Sequence, residues 1–182
     1  SVGCNGSPTI FTITVNPSAQ VNPLSNQVVC TGDATTAVSF GSTATGGTIV
    51  FNWTNNNTTI GLGASGTGDI ASFTAVNSGT APVTATVTIT PVYTSGGLTC
   101  NGTPRTFTIT VNPTAQVNSV NNQVVCNGAN TTAVNFGTTN TGGTTTYSWT
   151  NDNNTIGLGA SGSGNIAVFT AVNTGSSPVT AT

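Results

Sequence analysis

Apolar and polar residues alternate with a period of two along much of this chain. In Val83-Thr84-Ala85-Thr86-Val87-Thr88-Ile89-Thr90 the apolar side chains face one way and the threonines the other, as in a strand with one dry and one wet face. Phe107, Ile109 and Val111 alternate with Thr106, Thr108 and Thr110; Ile49, Phe51 and Trp53 share a face, and Val38 and Phe40 form a shorter run. Threonine is β-branched and suits a pleated, solvated surface. Clusters of Gly, Asn and Pro punctuate these runs, and no apolar stripe has helical spacing. The pattern predicts seven strands, near 25–30, 35–40, 48–54, 58–62, 70–76, 82–93 and 104–111. Seven short strands with a Trp on the third predict an all-β fold, an immunoglobulin-like β-sandwich.

The same pattern returns 96 residues later. Aligning 1–86 with 97–182 gives 58 identities in 86 positions, and Phe11–Pro17 recurs as Phe107–Pro113. A repeat of this length marks tandem whole domains in a linear array. Asn112-Pro113-Thr114-Ala115-Gln116-Val117-Asn118 reads as a short, extended linker, with its twin at Asn16–Asn22. Residues 1–17 then correspond to the final strand of a preceding sandwich, 18–113 to a complete sandwich, and 114–182 to one lacking its last strands. Two periods are 192 residues, ten more than the 182 here, and the absent stretch is equivalent to Val87–Gly96. Two readings follow: a window on a longer polypeptide, or a subunit whose leading strand completes its neighbour. In both, Thr9, Ile10, Phe11, Thr12, Ile13, Thr14 and Val15 form an inter-unit strand, packing on a domain like 118–182.

Composition narrows the function. Charged residues make up 2% of the chain, against about 25% in ordinary globular proteins. The only ones are Asp33, Asp69, Asp152 and Arg105. An apolar fraction of 35% supplies a core, so the chain is not of disordered composition. A net charge of −2 offers no basic footprint for nucleic acid. No apolar run approaches the ~18–20 residues of a membrane span. A surface of Thr, Ser, Asn and Gly with so little charge favours association, which suits a fibre or stalk outside the cell.

Four cysteines occur, two per period, with no Cys-x-x-Cys pair and no His. That predicts structural disulfides in an oxidising compartment, and neither zinc nor a nucleophilic thiol. Two periodic pairings are open. Cys30–Cys100 closes a 70-residue loop within one repeat, whereas Cys4–Cys30 spans a junction. The extended chain between Cys4 and Cys30 favours Cys30–Cys100, which leaves Cys4 and Cys126 for inter-unit disulfides.

Candidate chemistry is scarce. Gly61-Leu62-Gly63-Ala64-Ser65-Gly66 matches G-x-G-x-x-G, but Thr67-Gly68-Asp69-Ile70 after it reads as turn and strand rather than helix. No G-x-S-x-G is present, and there is no His or Lys to activate a serine. Asp33 and Asp69 become Ala129 and Asn165 in the second copy, and Asp152 replaces Asn56. The reading is of a non-enzyme without cofactor or metal. The aromatics that recur in register, Trp53/Trp149, Phe40/Phe136 and Phe73/Phe169, read as core.

The segments Gln27-Val28-Val29-Cys30-Thr31-Gly32, Phe51-Asn52-Trp53-Thr54, Ile60–Gly66, Phe73-Thr74-Ala75-Val76-Asn77 and Cys100-Asn101-Gly102-Thr103-Pro104, with Phe107–Pro113, resemble the PKD-like, immunoglobulin-like repeats of large secreted surface proteins of Bacteroidota. The resemblance covers both copies almost end to end. It implies an extracellular β-sandwich array linked to adhesion or filaments, with no catalytic residues to carry over. The leading expectation is a structural unit of an extracellular fibre or stalk, whose partners are copies of itself or the continuation of the same polypeptide. The alternatives are an adhesin that binds a surface glycan or protein through loops near 55–59 and 151–155, and a spacer in a large secreted enzyme.

Overall fold

The computed structural model describes residues 1–182, and the protein is nearly all β. The strands are β1 Gln27–Cys30, β2 Thr48–Asn55, β3 Ser65–Thr67, β4 Val83–Ser95, β5 Leu98–Asn101, β6 Arg105–Asn112, β7 Ser148–Thr150 and β8 Ser161–Ser163. No helix is long and apolar enough to cross a membrane.

The first repeat carries one mixed sheet, in the order β1-β6-β4-β2-β3, with β5 also on β4. β4 is its spine: antiparallel to β2 on one side, and to β6 and β5 on the other. β1 runs parallel to β6, pairing Gln27 with Ile109 and Cys30 with Asn112. The period-two pattern becomes burial directly. Ala85, Val87, Ile89, Phe107, Ile109 and Val111 are sealed from solvent, and Thr84 and Thr110 on the wet face join their hydroxyls at 2.9 Å. A second layer, including Ile60, Leu62, Ile70 and Ala75, closes the core over this face.

Pro91 sits in the middle of β4, where a central strand would lose a ladder bond. The ladder is interrupted there in any case. β4 pairs with β6 as far as Ile89–Arg105 and resumes with β5 at Val92–Asn101. Gly102 fills the gap, its N–H donating to Pro91 O at 2.8 Å.

Three expected strands take other forms. Residues 58–62 hold a 3-10 turn, Thr58–Ile60, because Asn57 accepts from Thr59 N and Gly61 ends the turn at a φ of 97°. The segments 35–40 and 70–76 lie against each other through the isolated bridge Val38–Ile70, with Ala34–Thr74 beside it, extended but without a ladder. Two short strands were not anticipated, Ser65–Thr67 and Leu98–Asn101. Ser65–Thr67 pairs with β2 at Gly66, directly against the Trp53 ring.

The second repeat reproduces the local features but not the large sheet. Its bridge Val134–Ile166 matches Val38–Ile70, and its turn Asn154–Ile156 matches Thr58–Ile60. Its only ladder is β7–β8, the twin of β2–β3. The two repeats touch end to end: Thr141 N donates to Thr80 O at 2.8 Å.

Candidate functional site

Two surfaces of this chain expose apolar residues whose twins in the first repeat are buried. The first is the segment Thr9–Asn16. Its counterpart in the first repeat is β6, where Phe107, Ile109 and Val111 are 2%, 0% and 0% exposed. The same three residue types at Phe11, Ile13 and Val15 are 80%, 79% and 85% exposed. Ile10 is likewise uncovered, and residues 9–15 pair with no strand. Beyond them the chain is anchored. Asn16 Nδ2 donates to Ser95 O at 3.0 Å, and Ala19 and Val21 are buried against the first repeat.

The second surface is a groove of about 500 Å³ in the second repeat, lined by 18 residues of which 11 are apolar. Val125, Ile156, Leu158, Ile166, Phe169 and Ala181 are among them. Their twins Val29, Ile60, Leu62, Ile70, Phe73 and Ala85 belong to the core that packs around β6. Ile60, Leu62, Ile70 and Ala85 are buried, whereas Ile156, Leu158, Ile166 and Ala181 are each only half-buried. In the first repeat the matching side chains pack with Val87 and Ile89 of β4 and with Phe107, Ile109 and Val111 of β6.

The polar groups differ between the repeats at the same places. Asn77 Nδ2 donates to Ala81 O at 2.8 Å and to Val111 O, on β6, at 2.7 Å. Asn173 makes the first of these bonds, to Ser177 O at 3.0 Å, and has no counterpart of the second. Thr31 N donates to Asn112 O at 2.9 Å, and Asn26 Oδ1 accepts from Thr108 N at 2.9 Å. The twins Asn127 N and Asn122 Oδ1 lack these partners within the chain. Gln123–Cys126, the twin of β1, forms no ladder, and Val124 is 99% exposed.

All four cysteines are free thiols, and the structure overturns the Cys30–Cys100 pairing. Cys30 stands beside Asn112, at the Val83 end of β4, and Cys100 pairs with Tyr93 near the other end. Ten strand residues at about 3.3 Å each put some 33 Å between those ends, whereas a disulfide needs Cα atoms within about 7 Å. The extended chain between Cys4 and Cys30 favoured that pairing from sequence, but the strand order places Cys30 and Cys100 at opposite poles of the domain. Cys4 and Cys126 are both exposed.

The aromatic residues line the interior to different depths. Trp53 is 9% exposed, while Trp149, Phe40, Phe136, Phe73 and Phe169 are half-buried. Phe40 stacks on Phe51 with ring centroids 5.7 Å apart, and Phe136 on Tyr147 at the same distance.

Two of the three acids, Asp69 and Asp152, act as backbone acceptors. Asp69 Oδ1 accepts from Phe40 N at 2.8 Å, as Asn165 Oδ1 does from Phe136 N at 2.9 Å. Asp152 Oδ1 accepts from Thr182 N, as Asn56 Oδ1 does from Thr86 N, both at 2.7 Å. Asn and Asp exchange freely at such sites, which accounts for their drift between copies. No three of His, Cys, Asp and Glu come together. The G-x-G-x-x-G stretch runs from the Gly61 cap of the 3-10 turn into β3, and a Cβ on Gly61 would stand 2.7 Å from Thr74 O.

Sequence reading missed the buried Asn positions. Asn55 Nδ2 donates to Leu62 O at 3.1 Å and Asn151 Nδ2 to Leu158 O at 3.0 Å, holding the turn that follows β2 or β7. The available signal was their recurrence in both copies amid an otherwise Asn-rich surface. No protein-family model matches the chain, and none of the curated proteins matches it.

Proposed function

We propose that this chain is a structural unit of an extracellular filament or stalk, an array of tandem immunoglobulin-like sandwiches of the PKD-like type. Each Thr9–Asn16 strand completes the second repeat of the unit before it, whether that unit is a copy of this chain or lies earlier in the same polypeptide. The observation that carries this reading is the correspondence between strand and groove. Phe11, Ile13 and Val15 lie uncovered, and the groove carries Ile156, Leu158 and Ile166, twins of the residues that share a core with Phe107, Ile109 and Val111 in the first repeat. Burying one such side chain contributes roughly 1.5–3 kcal/mol, and the main-chain pairing with Val179–Thr182 and Gln123–Cys126 fixes register.

In the first repeat's register, Thr12–Val15 lie antiparallel to Val179–Thr182, as Thr108–Val111 do to Val83–Thr86, and Ile13–Asn16 lie parallel to Gln123–Cys126. The donor is thus gripped on both edges. The anchoring of Asn16, Ala19 and Val21 on the donor's own first repeat makes the link short and stiff. A sparse surface charge removes the repulsion that keeps monomers apart. Electron microscopy of the secreted material tests the reading. The expected result is a thin filament with beads every ~40 Å, from the rise of a sandwich-length strand plus linker. Isolated two-bead particles at all concentrations would refute it.

A further inference from the structure

We infer that each link of this filament is locked by two disulfides between successive units, Cys30 to Cys4 of the following unit and Cys126 to Cys100 of the following unit. This rests on the strand-exchange reading above and adds to it a thiol pairing that the sequence argument did not reach.

The strand register sets which thiols meet. With Thr9–Asn16 seated as β6 is, Cys4 takes the place of Cys100 in the receiving domain, where Cys126 already holds the place of Cys30. Those two then stand at opposite poles, as Cys30 and Cys100 do, so a Cys4–Cys126 bridge fails for the same reason as the internal one. Each domain instead carries one thiol at its entry pole and one at its exit pole. Stacking domains end to end brings the exit thiol of one to the entry thiol of the next.

Contacts at both kinds of junction support this. Asn112 is the register partner of Cys30. Its twin Asn16, when donated, stands in the same relation to Cys126 of the preceding unit, about 4.8 Å away across a strand pair. Asn16 Nδ2 also reaches Ser95 O at 3.0 Å, and Ser95 belongs to the hairpin in which Tyr93 pairs with Cys100. One residue thus lies between Cys126 of one unit and Cys100 of the next. At the junction inside the chain, Thr141 N donates to Thr80 O at 2.8 Å, and the exit pole of the first repeat, with Cys30, meets the 141–143 loop. The twin of that loop holds the entry pole: Tyr93 OH donates to Thr45 O at 2.9 Å, and Tyr93 is the cross-strand partner of Cys100. A donated Cys4 occupies the Cys100 position at this pole, opposite Cys30. Cys4, Cys30 and Cys126 are exposed and Cys100 is half-buried, so an oxidant can reach them.

Each bond forms as two thiols lose two protons and two electrons to a small-molecule disulfide, which leaves as two thiols. Oxidised glutathione is the reagent for the test. The full chain is assembled, oxidised, alkylated, and mapped by proteolysis and mass spectrometry. Linked peptides joining Cys30 to Cys4 and Cys126 to Cys100 are expected, with a denaturing ladder that collapses to 17.9 kDa on reduction. C30S or C126S alone leaves the ladder, because one link per junction remains, and C30S/C126S together abolishes it. Filaments whose thiols stay alkylatable, or peptides joining Cys30 to Cys100 or Cys4 to Cys126, would overturn the pairing and leave strand exchange standing. Absence of both filaments and cross-links would overturn strand exchange and the pairing with it.

Discussion

Asn77 donates to the backbone carbonyl of Val111 across 2.7 Å, tying the turn before β4 to the last strand of its domain. Its twin Asn173 keeps the turn bond, to Ser177 O at 3.0 Å, and makes no counterpart of the second. In the first repeat, Asn77→Ala removes bonds to Ala81 O, Val111 O and Gly79 N, and leaves buried partners unsatisfied. At roughly 1 kcal/mol per bond, denaturant unfolding should show a loss of about 2–4 kcal/mol. Asn173→Ala should cost the isolated chain less and weaken assembly instead, seen as a higher critical concentration.

Ile13 and Ile109 occupy the same place in one motif, yet one is 79% exposed and the other sealed. Ile109→Asp buries a charge without a partner, a loss of roughly 4 kcal/mol or more. Circular dichroism should show the first repeat unfolded. Ile13→Asp should leave the thermal midpoint of the monomer unchanged and prevent polymerisation.

Gly66 lies beneath the Trp53 ring, and Gly162 beneath Trp149, so that a Cβ at either would run into the indole. Gly66→Ala should cost about 1–3 kcal/mol through overpacking. The readout is a lower melting temperature with a blunted Trp fluorescence change.

Asp69 and Asn165 perform one task, accepting a hydrogen bond from the N–H of Phe40 or Phe136. Asp69→Asn should therefore change stability by no more than about 0.5 kcal/mol, and Asp69→Ala, which strands the Phe40 N–H, should cost more. A catalytic or metal-binding carboxylate would not tolerate the first change.

How much of this was legible in the sequence depends on the kind of signal. Alternation over 83–90 and 106–111 located the spine of the sheet, because a one-sided strand must alternate. The repeat marked Thr9–Val15 as the twin of β6, and within this chain that segment forms no strand and stays exposed. The turn at Thr58–Ile60 was hidden, because Asn57 and Gly61 reshape a run whose apolar spacing resembles a short strand. The Cys30–Cys100 pairing misled for a different reason. The reach of an extended segment is visible in a sequence, but which pole of a domain each cysteine occupies depends on strand order and on β1 running parallel to β6.

Strand exchange between units is tested most directly by sedimentation of two disabled chains, alone and mixed. Ile13→Asp spoils the donor strand, and Val125→Asp places a charge in the groove at a residue already 42% exposed, so each chain should still fold. Each alone should sediment as a monomer. An equimolar mixture should yield a dimer that grows no further, because one intact donor meets one intact groove. A mixture that stays monomeric, or either chain alone polymerising like the native protein, would contradict the account.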